Sequence, residues 1–444
     1  MDMKMIGKNF ASLRKANGYT QETLAEKLGL SPQAVSKWET GTGLPEVSVL
    51  LILAELFRVS IDEILRPDLK QDLITDFISR NLASPEKKLL DGIPRISRWN
   101  PPEGCDMSYS FPAMMATALC YIEAQEQNLT EVTYAQMNER FRDMMHLTGM
   151  GYGWLWNIVK RHLIEELWHV NDVAEMIGQV MGYYGRDYIW LTRENASKDD
   201  VRRIVMWSID NGRPVIAEWL GGLPEFNLIT GYENNGETLL GYTYCEECAV
   251  QTNDQGMFVN PARWEEMTEQ NDVFHVLVIG DKVPSVFSDS DTIAYALRVL
   301  DKNEADNKGH FLAHELIAGD EALSAWLGAC DTDEGTVDLF KHEDIFRYFL
   351  YKNSIYTQAC ILPYYKKLGG RSNKDIHDIA VQIDIAVGAI TRECETVVKT
   401  VKEQPDNIKE NAVACRQFIE NYIKYRAYMR GWLKEITNHL ESEG

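Results

Sequence analysis

The chain carries 444 residues, 45% of them apolar and 25% charged, an ordinary globular composition on a chain too long for one small core. A formal net charge of -22 excludes phosphate binding from most of its surface. The 8 cysteines, scattered over so long a chain, exclude the dense disulfide framework of a small secreted scaffold.

No apolar run is long enough to span a bilayer, and no charged-then-apolar leader opens the chain, so a cytoplasmic protein without membrane contact is expected. The acidity is uneven. Residues 1–66 hold 8 basic and 8 acidic side chains, while 37 basic face 59 acidic residues in the remainder. Any contact with nucleic acid must therefore be local to the N-terminal segment. The acidic body suits solubility, or a neutral or cationic ligand.

Five short helices are predicted in residues 1–68. Ile6, Phe10 and Leu13 form an apolar stripe that ends at Gly18. Thr20 caps a second helix whose Leu24, Ala25 and Leu28 face inward. Gly29 supplies a turn that needs positive φ. Ser31 is expected to cap a third helix with Pro32 at its first position. Val35 and Trp38 point to the core, which leaves Gln33, Ala34, Ser36 and Lys37 outside. Val47–Val59 and Ile61–Leu65 close the bundle.

The stretches Thr20-Gln21-Glu22-Thr23-Leu24-Ala25-Glu26-Lys27-Leu28-Gly29, Ser31-Pro32-Gln33-Ala34-Val35-Ser36-Lys37-Trp38-Glu39 and Gly43-Leu44-Pro45 closely resemble the Cro/phage-repressor (XRE-type) helix-turn-helix family. The resemblance implies that the third helix enters the major groove, with Gln33 and Lys37 at base edges. It also implies DNA contacts from Ser31, Ala34 and Ser36, and a phosphate contact from Gln21 at the start of the second helix. Pro32 stands where many relatives carry a long polar side chain, which removes one base contact, and the resemblance implies an internal ion pair between Arg14 and Glu39.

Residues 69–92 read as a linker, and residues 93–284 as an α+β domain. Helices are predicted at Ser108–Ala124, Tyr134–Met145, Asp172–Tyr183 and Lys198–Asn211. Strands are predicted at Tyr188–Leu191, Pro214–Trp219, Asn227–Tyr232, Thr238–Tyr244 and Val273–Ile279. The run Gly212–Ala217 followed by Pro224–Tyr232, with a turn expected at Gly231, resembles the papain-like fold of bacteriocin-processing peptidases and of the butirosin-biosynthesis acyltransferase. That resemblance implies a cysteine at a helix start and a histidine on the strand leading to the Gly-Tyr pair. Glu225 occupies the histidine position, and a carboxylate there raises rather than lowers a thiol's pKa. No catalytic residue is assigned, and a degenerate domain kept as a ligand shell is expected. The density of aromatic residues points to a pocket formed by Trp154, Trp219, Glu218, Glu225 and Phe226.

Weaker patterns carry no site. Cys245 and Cys248 lack a second ligand pair. His162, Glu166 and His169, and His310 with His314, match no metal motif, and Gly149-x-Gly151-x-Gly153 does not sit in a βαβ unit. Neither a metal nor a cofactor is expected. Residues 285–444 read as an all-α domain, with helices at Thr292–Asp301, His310–Ala329, His342–Leu368, Ile376–Lys402 and Asp406–Leu440.

The expected protein is multidomain: an all-α five-helix DNA-binding domain, an α+β papain-like domain and an all-α C-terminal domain. It reads as a one-component transcription regulator. A homodimer would bind a palindromic double-stranded operator and sense a small-molecule effector. The alternatives are a cysteine-dependent acyltransferase or amidase using Cys105, and a protein-binding regulator.

Overall fold

A computed structural model describes residues 3–16, 19–57, 64–65, 85–96, 107, 109–129, 131–152, 155–157, 162–163, 173–192, 196–218, 225–242, 244, 258–261, 275–301, 316–330, 357–404 and 406–443. Internal contacts divide the chain into two units, Met1–Ser84 and Pro85–Gly444.

In the first unit, α1 (Met3–Ala16), α2 (Gln21–Leu28), α3 (Pro32–Glu39) and α4 (Val47–Phe57) surround one core. Phe10, Leu24, Val35, Trp38, Leu53 and Phe57 are buried together. The Phe10 ring meets Trp38 and Phe57 edge-on, with centroids 5.4 and 5.5 Å apart. Asn9 Nδ2 donates to the Ile64 carbonyl at 3.1 Å, which ties Ile64 back to α1.

The second unit is built on an antiparallel sheet. Its strands are β1 (Lys88–Leu89), β4 (Arg186–Thr192), β5 (Val215–Glu218), β6 (Phe226–Glu233), β7 (Thr238–Tyr242), β8 (Phe258–Pro261) and β9 (His275–Lys282). They run in the order β4-β9-β5-β6-β7-β8, and β1 pairs with β6 beyond the end of β5. Lys88 and Leu89, within the stretch expected to be a linker, thus belong to this sheet: Lys88 lies opposite Tyr232.

The turn expected at Gly231 falls three residues later. Asn234, Asn235 and Gly236 take φ of 51°, 54° and 85°. Gly231 itself stays in β6 beside β1, where a Cβ would stand 2.6 Å from the Lys88 carbonyl oxygen. Glycine is required there for close approach of two backbones, not for a turn.

Helix α5 (Ser110–Glu126) packs on β5 and β6 and is buried from Ser110 to Ile122. A helix apolar all round has no solvent face to present, so it sits in the core. Against it lie α6 (Tyr134–Leu147) and then α7 (Val173–Tyr184), while α8 (Lys198–Asp210) covers part of the sheet. Capping boxes start α6 at Thr133 and α8 at Ser197.

The C-terminal helices belong to the same unit, so the division expected between residues 284 and 285 falls inside it. These helices are α9 (Asp289–Leu300), α10 (Gly319–Ala329), α11 (Thr357–Arg371), α12 (Lys374–Glu403) and α13 (Ile408–Glu443). Ile376, Ile383, Ile390 and Val397, interleaved with Ile379, Val387, Cys394 and Val401, form the buried stripe of α12 against its neighbours. That spacing is the 3.5-residue repeat of long packed helices.

Part of the expected helix His310–Ala329 is a strand. Leu316–Ala318 (β10) pairs antiparallel with β2 (Leu155–Asn157), which in turn pairs with β3 (His162–Leu163). A short apolar run does not distinguish strand from helix by periodicity.

His146 lies at the centre of this helical half, fully buried. Its Nδ1 pairs with the Tyr152 hydroxyl at 2.5 Å, its Nε2 with Thr292 Oγ1 at 3.2 Å, and its ring stacks on Tyr364 at 3.6 Å. Burial pulls its pKa down to about 3. The unfolded chain takes up this proton first, near pH 6.5, so protonation favours unfolding. The stability from a neutral His146 is complete above about pH 6.5 and is lost progressively as pH falls towards 3, at about 1.4 kcal/mol per unit. Unfolding free energies from urea titrations at pH 7 and pH 5 should therefore differ by about 2 kcal/mol more in the native protein than in His146→Gln. Equal pH slopes in the two proteins would remove His146 from the acid response.

Candidate nucleic-acid interface

The interface is organised by the turn between α2 and α3. Thr20 opens α2 with a reciprocal cap: its hydroxyl accepts from the Thr23 N–H at 3.1 Å, and Thr23 Oγ1 accepts from the Thr20 N–H at 2.8 Å. Gly29 closes α2 at φ 67°, ψ 30°, a left-handed geometry that costs glycine nothing. The next N–H, from Leu30, returns to the Ala25 carbonyl at 2.9 Å. The chain then enters α3 through Pro32.

On α3 the spacing separates inside from outside. Val35 is 0% and Trp38 8% exposed, whereas Ser31, Gln33 and Lys37 are exposed and Ala34 and Ser36 half-buried. Residues three apart share a face of the helix, so the Val35/Trp38 pair turns Gln33 and Lys37 to solvent. One expectation is corrected here. Ser31 stands at the N-cap position, but its side chain makes no capping hydrogen bond. The Gln21 amide is directed inward: Nε2 donates to Glu39 Oε2 at 2.7 Å.

Glu39 is the hub that joins the helices. Arg14 Nε donates to Oε1 and Arg14 Nη2 to Oε2 at 3.2 Å, so α1, α2 and α3 converge on one carboxylate. The pair is nearly buried, with side chains 8% and 10% exposed. The hydrogen bond from Glu39 raises the Arg14 pKa above its usual value. Arg14 thus holds the helices together and is not directed at a phosphate.

Of the expected ligand residues, Glu218, Glu225 and Phe226 are described, and none of these three lines the cavity between the helices. Trp154 and Trp219 lie outside the described residues. Phe226 is core, 0% exposed, and packs on Phe111 with ring centroids 4.7 Å apart. Glu218 is also 0% exposed and bonds His275 Nδ1 at the end of the β5–β9 ladder. Trp190 stacks on that imidazole at 4.7 Å. Glu225 is half-buried, and its carbonyl accepts from Asn227 Nδ2 at 2.8 Å. The His275 partner of Glu218 had no local signal in the sequence, because it comes from a strand 57 residues away.

Cys105, Cys245, Cys248, Glu166, His169, His310 and His314 lie outside the described residues. Among the described residues no three His, Cys, Asp or Glu side chains form a metal-binding group. None of their helices is long and apolar enough to cross a membrane.

Comparison with known proteins places this geometry. A helix-turn-helix family model matches residues 10–64. The chain is 40% identical over 75 residues to the HTH-type transcriptional activator BcrR of Enterococcus faecalis, a match covering 17% of this chain and 35% of BcrR. The HTH-type transcriptional regulator YazB of Bacillus subtilis is 32% identical over 68 residues, 15% of this chain and 99% of YazB. The regulator y4dJ of Sinorhizobium fredii is 43% identical over 68 residues, 15% of this chain and 88% of y4dJ. All three similarities are confined to a small part of this chain, and the chain spans about a third of BcrR. The matched residues span α2, Gly29 and α3. The chain belongs to the helix-turn-helix family of DNA-binding transcriptional regulators.

Proposed function

We propose that the chain is a one-component regulator that reads an operator through α3 and answers to a small-molecule effector held by its second unit. Gln33 and Lys37 contact base edges, and Ser31, Ala34 and Ser36 contact the same groove and its phosphates. The observation that carries this reading is the two-sided character of α3, with Val35 and Trp38 buried and Gln33 and Lys37 free to meet a ligand. The unbonded Ser31 side chain at the α3 N-terminus supports a phosphate contact there. Gln21 serves the interface indirectly, by holding α2 on Glu39.

A single domain of this size buries too little surface for tight specific binding, so the regulator acts as a homodimer on a palindromic site. The likeness of residues 93–284 to a degenerate papain-like domain is supported by one contact. The start of α5 meets the start of β6, where Ser110 Oγ accepts from the Phe226 N–H at 3.2 Å. The described residue at that helix start carries a hydroxyl already committed to the backbone, and Glu225 precedes Phe226. This arrangement favours a ligand shell over a thiol–imidazole enzyme.

The test is selection of the full-length protein on a random DNA library, together with its solution mass. The expected result is an enriched motif of two inverted half-sites about one helical turn, roughly 10 bp, apart, bound by a dimer. No enrichment above unselected DNA would overturn the operator reading. Enrichment of one isolated half-site by a monomer would overturn the dimer.

A further inference from the structure

We infer that the second unit binds a small zwitterion, a molecule carrying both a carboxylate and an ammonium group, in a cavity of about 370 Å³ between α5, α6, α7 and α11. This rests on the effector-sensing reading above and supplies it with a site. The volume lies in the range of small-molecule pockets, about 300–1,000 Å³.

The cavity wall holds charges of both signs in equal number: Arg140, Lys367 and Arg371 against Glu123, Glu139 and Asp143. Each cation already has an acidic partner. Arg140 reaches Glu123 at 2.6 Å, Arg371 reaches Asp289 at 2.6 Å, and Lys367 bridges Glu139 at 2.7 Å and Asp143 at 3.1 Å. The Lys367 and Arg371 side chains are 38% and 49% exposed. Such half-exposed pairs contribute little by themselves and can exchange partners at small cost.

Lys367 is the point of exchange. If its ammonium turns to an incoming carboxylate, together with Arg371, then Asp143 keeps the Tyr184 hydroxyl at 3.3 Å and the more distant charge of Arg140 but loses its ion-pair partner, as does the more exposed Glu139. Asp143 is only 17% exposed, and burial already lifts its pKa above the ordinary carboxylate range despite Lys367. An ammonium group on the same ligand restores the lost pair. A ligand with one charge leaves a protein charge unpaired in a partly dry site, which is costly. The wall thus selects for the paired charges of a zwitterion.

Tyrosines supply the remaining surface. The rings of Tyr183 and Tyr184 stand nearly perpendicular, 5.3 Å apart, and Tyr184 covers the Arg140 guanidinium at 4.3 Å. The Cys120 thiol also lines the cavity, but burial pushes its pKa up to about 11. It is therefore protonated at neutral pH and serves as wall, not as nucleophile.

The site is connected to the core of the unit. Tyr364 lines the cavity, donates to Asp289 at 2.8 Å, pairs with Thr292 Oγ1 at 3.0 Å and stacks on His146. Tyr364, Lys367 and Arg371 all lie on α11, which packs on α6 and on the long helix α12. A ligand bridging Asp143 on α6 to Arg371 on α11 fixes these helices relative to each other.

The test uses the full-length protein and a thermal-shift screen with the twenty standard L-amino acids and a set of glycyl dipeptides. Each hit is then measured by calorimetry beside its N-acetyl and amide derivatives, which remove one charge each. The expected result is at least one zwitterion that binds, with tenfold or greater loss in both derivatives and in Lys367→Met and Asp143→Asn. Should either variant melt before it can be measured, Arg371→Gln at the half-exposed rim is expected to give the same loss. No binder in either set, equal binding of a derivative, or full binding by the variants would overturn the site.

Operator affinity separates this inference from the reading beneath it. A zwitterion that binds without altering operator affinity leaves the site standing and removes effector sensing. An effector that alters operator affinity equally in Lys367→Met keeps sensing and removes the site.

Discussion

Replacing Gln33 and Lys37 together with alanine should abolish discrimination between the cognate operator and random DNA while leaving the first unit folded. Both side chains are exposed on α3, so their loss removes nothing from the core beneath them. Each good contact to a base edge contributes about 1–3 kcal/mol of discrimination. The double variant should therefore lose roughly 2–6 kcal/mol on the cognate site and almost nothing on non-specific DNA. Gln21→Ala should behave differently. Its amide holds α2 on Glu39, so its loss loosens the seat of α3 and weakens all sequences to a similar extent. Fluorescence anisotropy with cognate and scrambled duplexes at one fixed salt concentration distinguishes these outcomes. Full operator affinity in the double variant would exclude α3 as the reading helix.

Asp320→Ala should be among the most damaging single substitutions in the second unit. Arg426 on α13 is 1% exposed. Its Nε donates to Asp320 at 2.7 Å, while its other nitrogens reach the Tyr152 and Leu300 carbonyls at 2.8 Å. Arg430 joins the same carboxylate at 2.6 Å. Removing Asp320 leaves a guanidinium buried without its counter-charge, a defect that costs about 3–5 kcal/mol. Removing the charge as well should help: the double variant Asp320→Ala/Arg426→Met should be more stable than Asp320→Ala alone. Urea unfolding of the full-length protein followed by a probe in the second unit measures both. A double variant less stable than the single one would show that Arg426 contributes mainly by its packing and carbonyl bonds.

The legible part of this protein is its local chemistry. The capped start of α2, the glycine after it, Pro32 at the head of α3 and the three-residue spacing of Val35 and Trp38 all act within about one helical turn of themselves. The outward face of α3 could therefore be read without coordinates. The same holds for the existence of α5 and α12, which the apolar pattern of the chain predicts as helices. Strands β5, β6, β7 and β9 were likewise visible as β-rich runs, although the turn after β6 was misplaced because Gly231 serves a close approach instead.

The sequence by itself thus determined the helix-turn-helix unit and the outward face of α3, and its family resemblance implied the Arg14–Glu39 clasp. Tertiary structure alone decided which groups in the second unit meet. Glu218 was expected to line a pocket and instead is buried on His275. In the first unit, the Gln21 amide meets Glu39 from another helix. Leu316–Ala318 became a strand because β2 was there to pair with it. The charged cavity draws its wall from helices separated by more than two hundred residues, with Lys367 on Asp143 across 224 positions. Caps, turns and helix stripes are made by neighbours in the chain and leave a periodic trace. Ion pairs, buried imidazoles and cavities are made by neighbours in space, and no spacing along the chain records them.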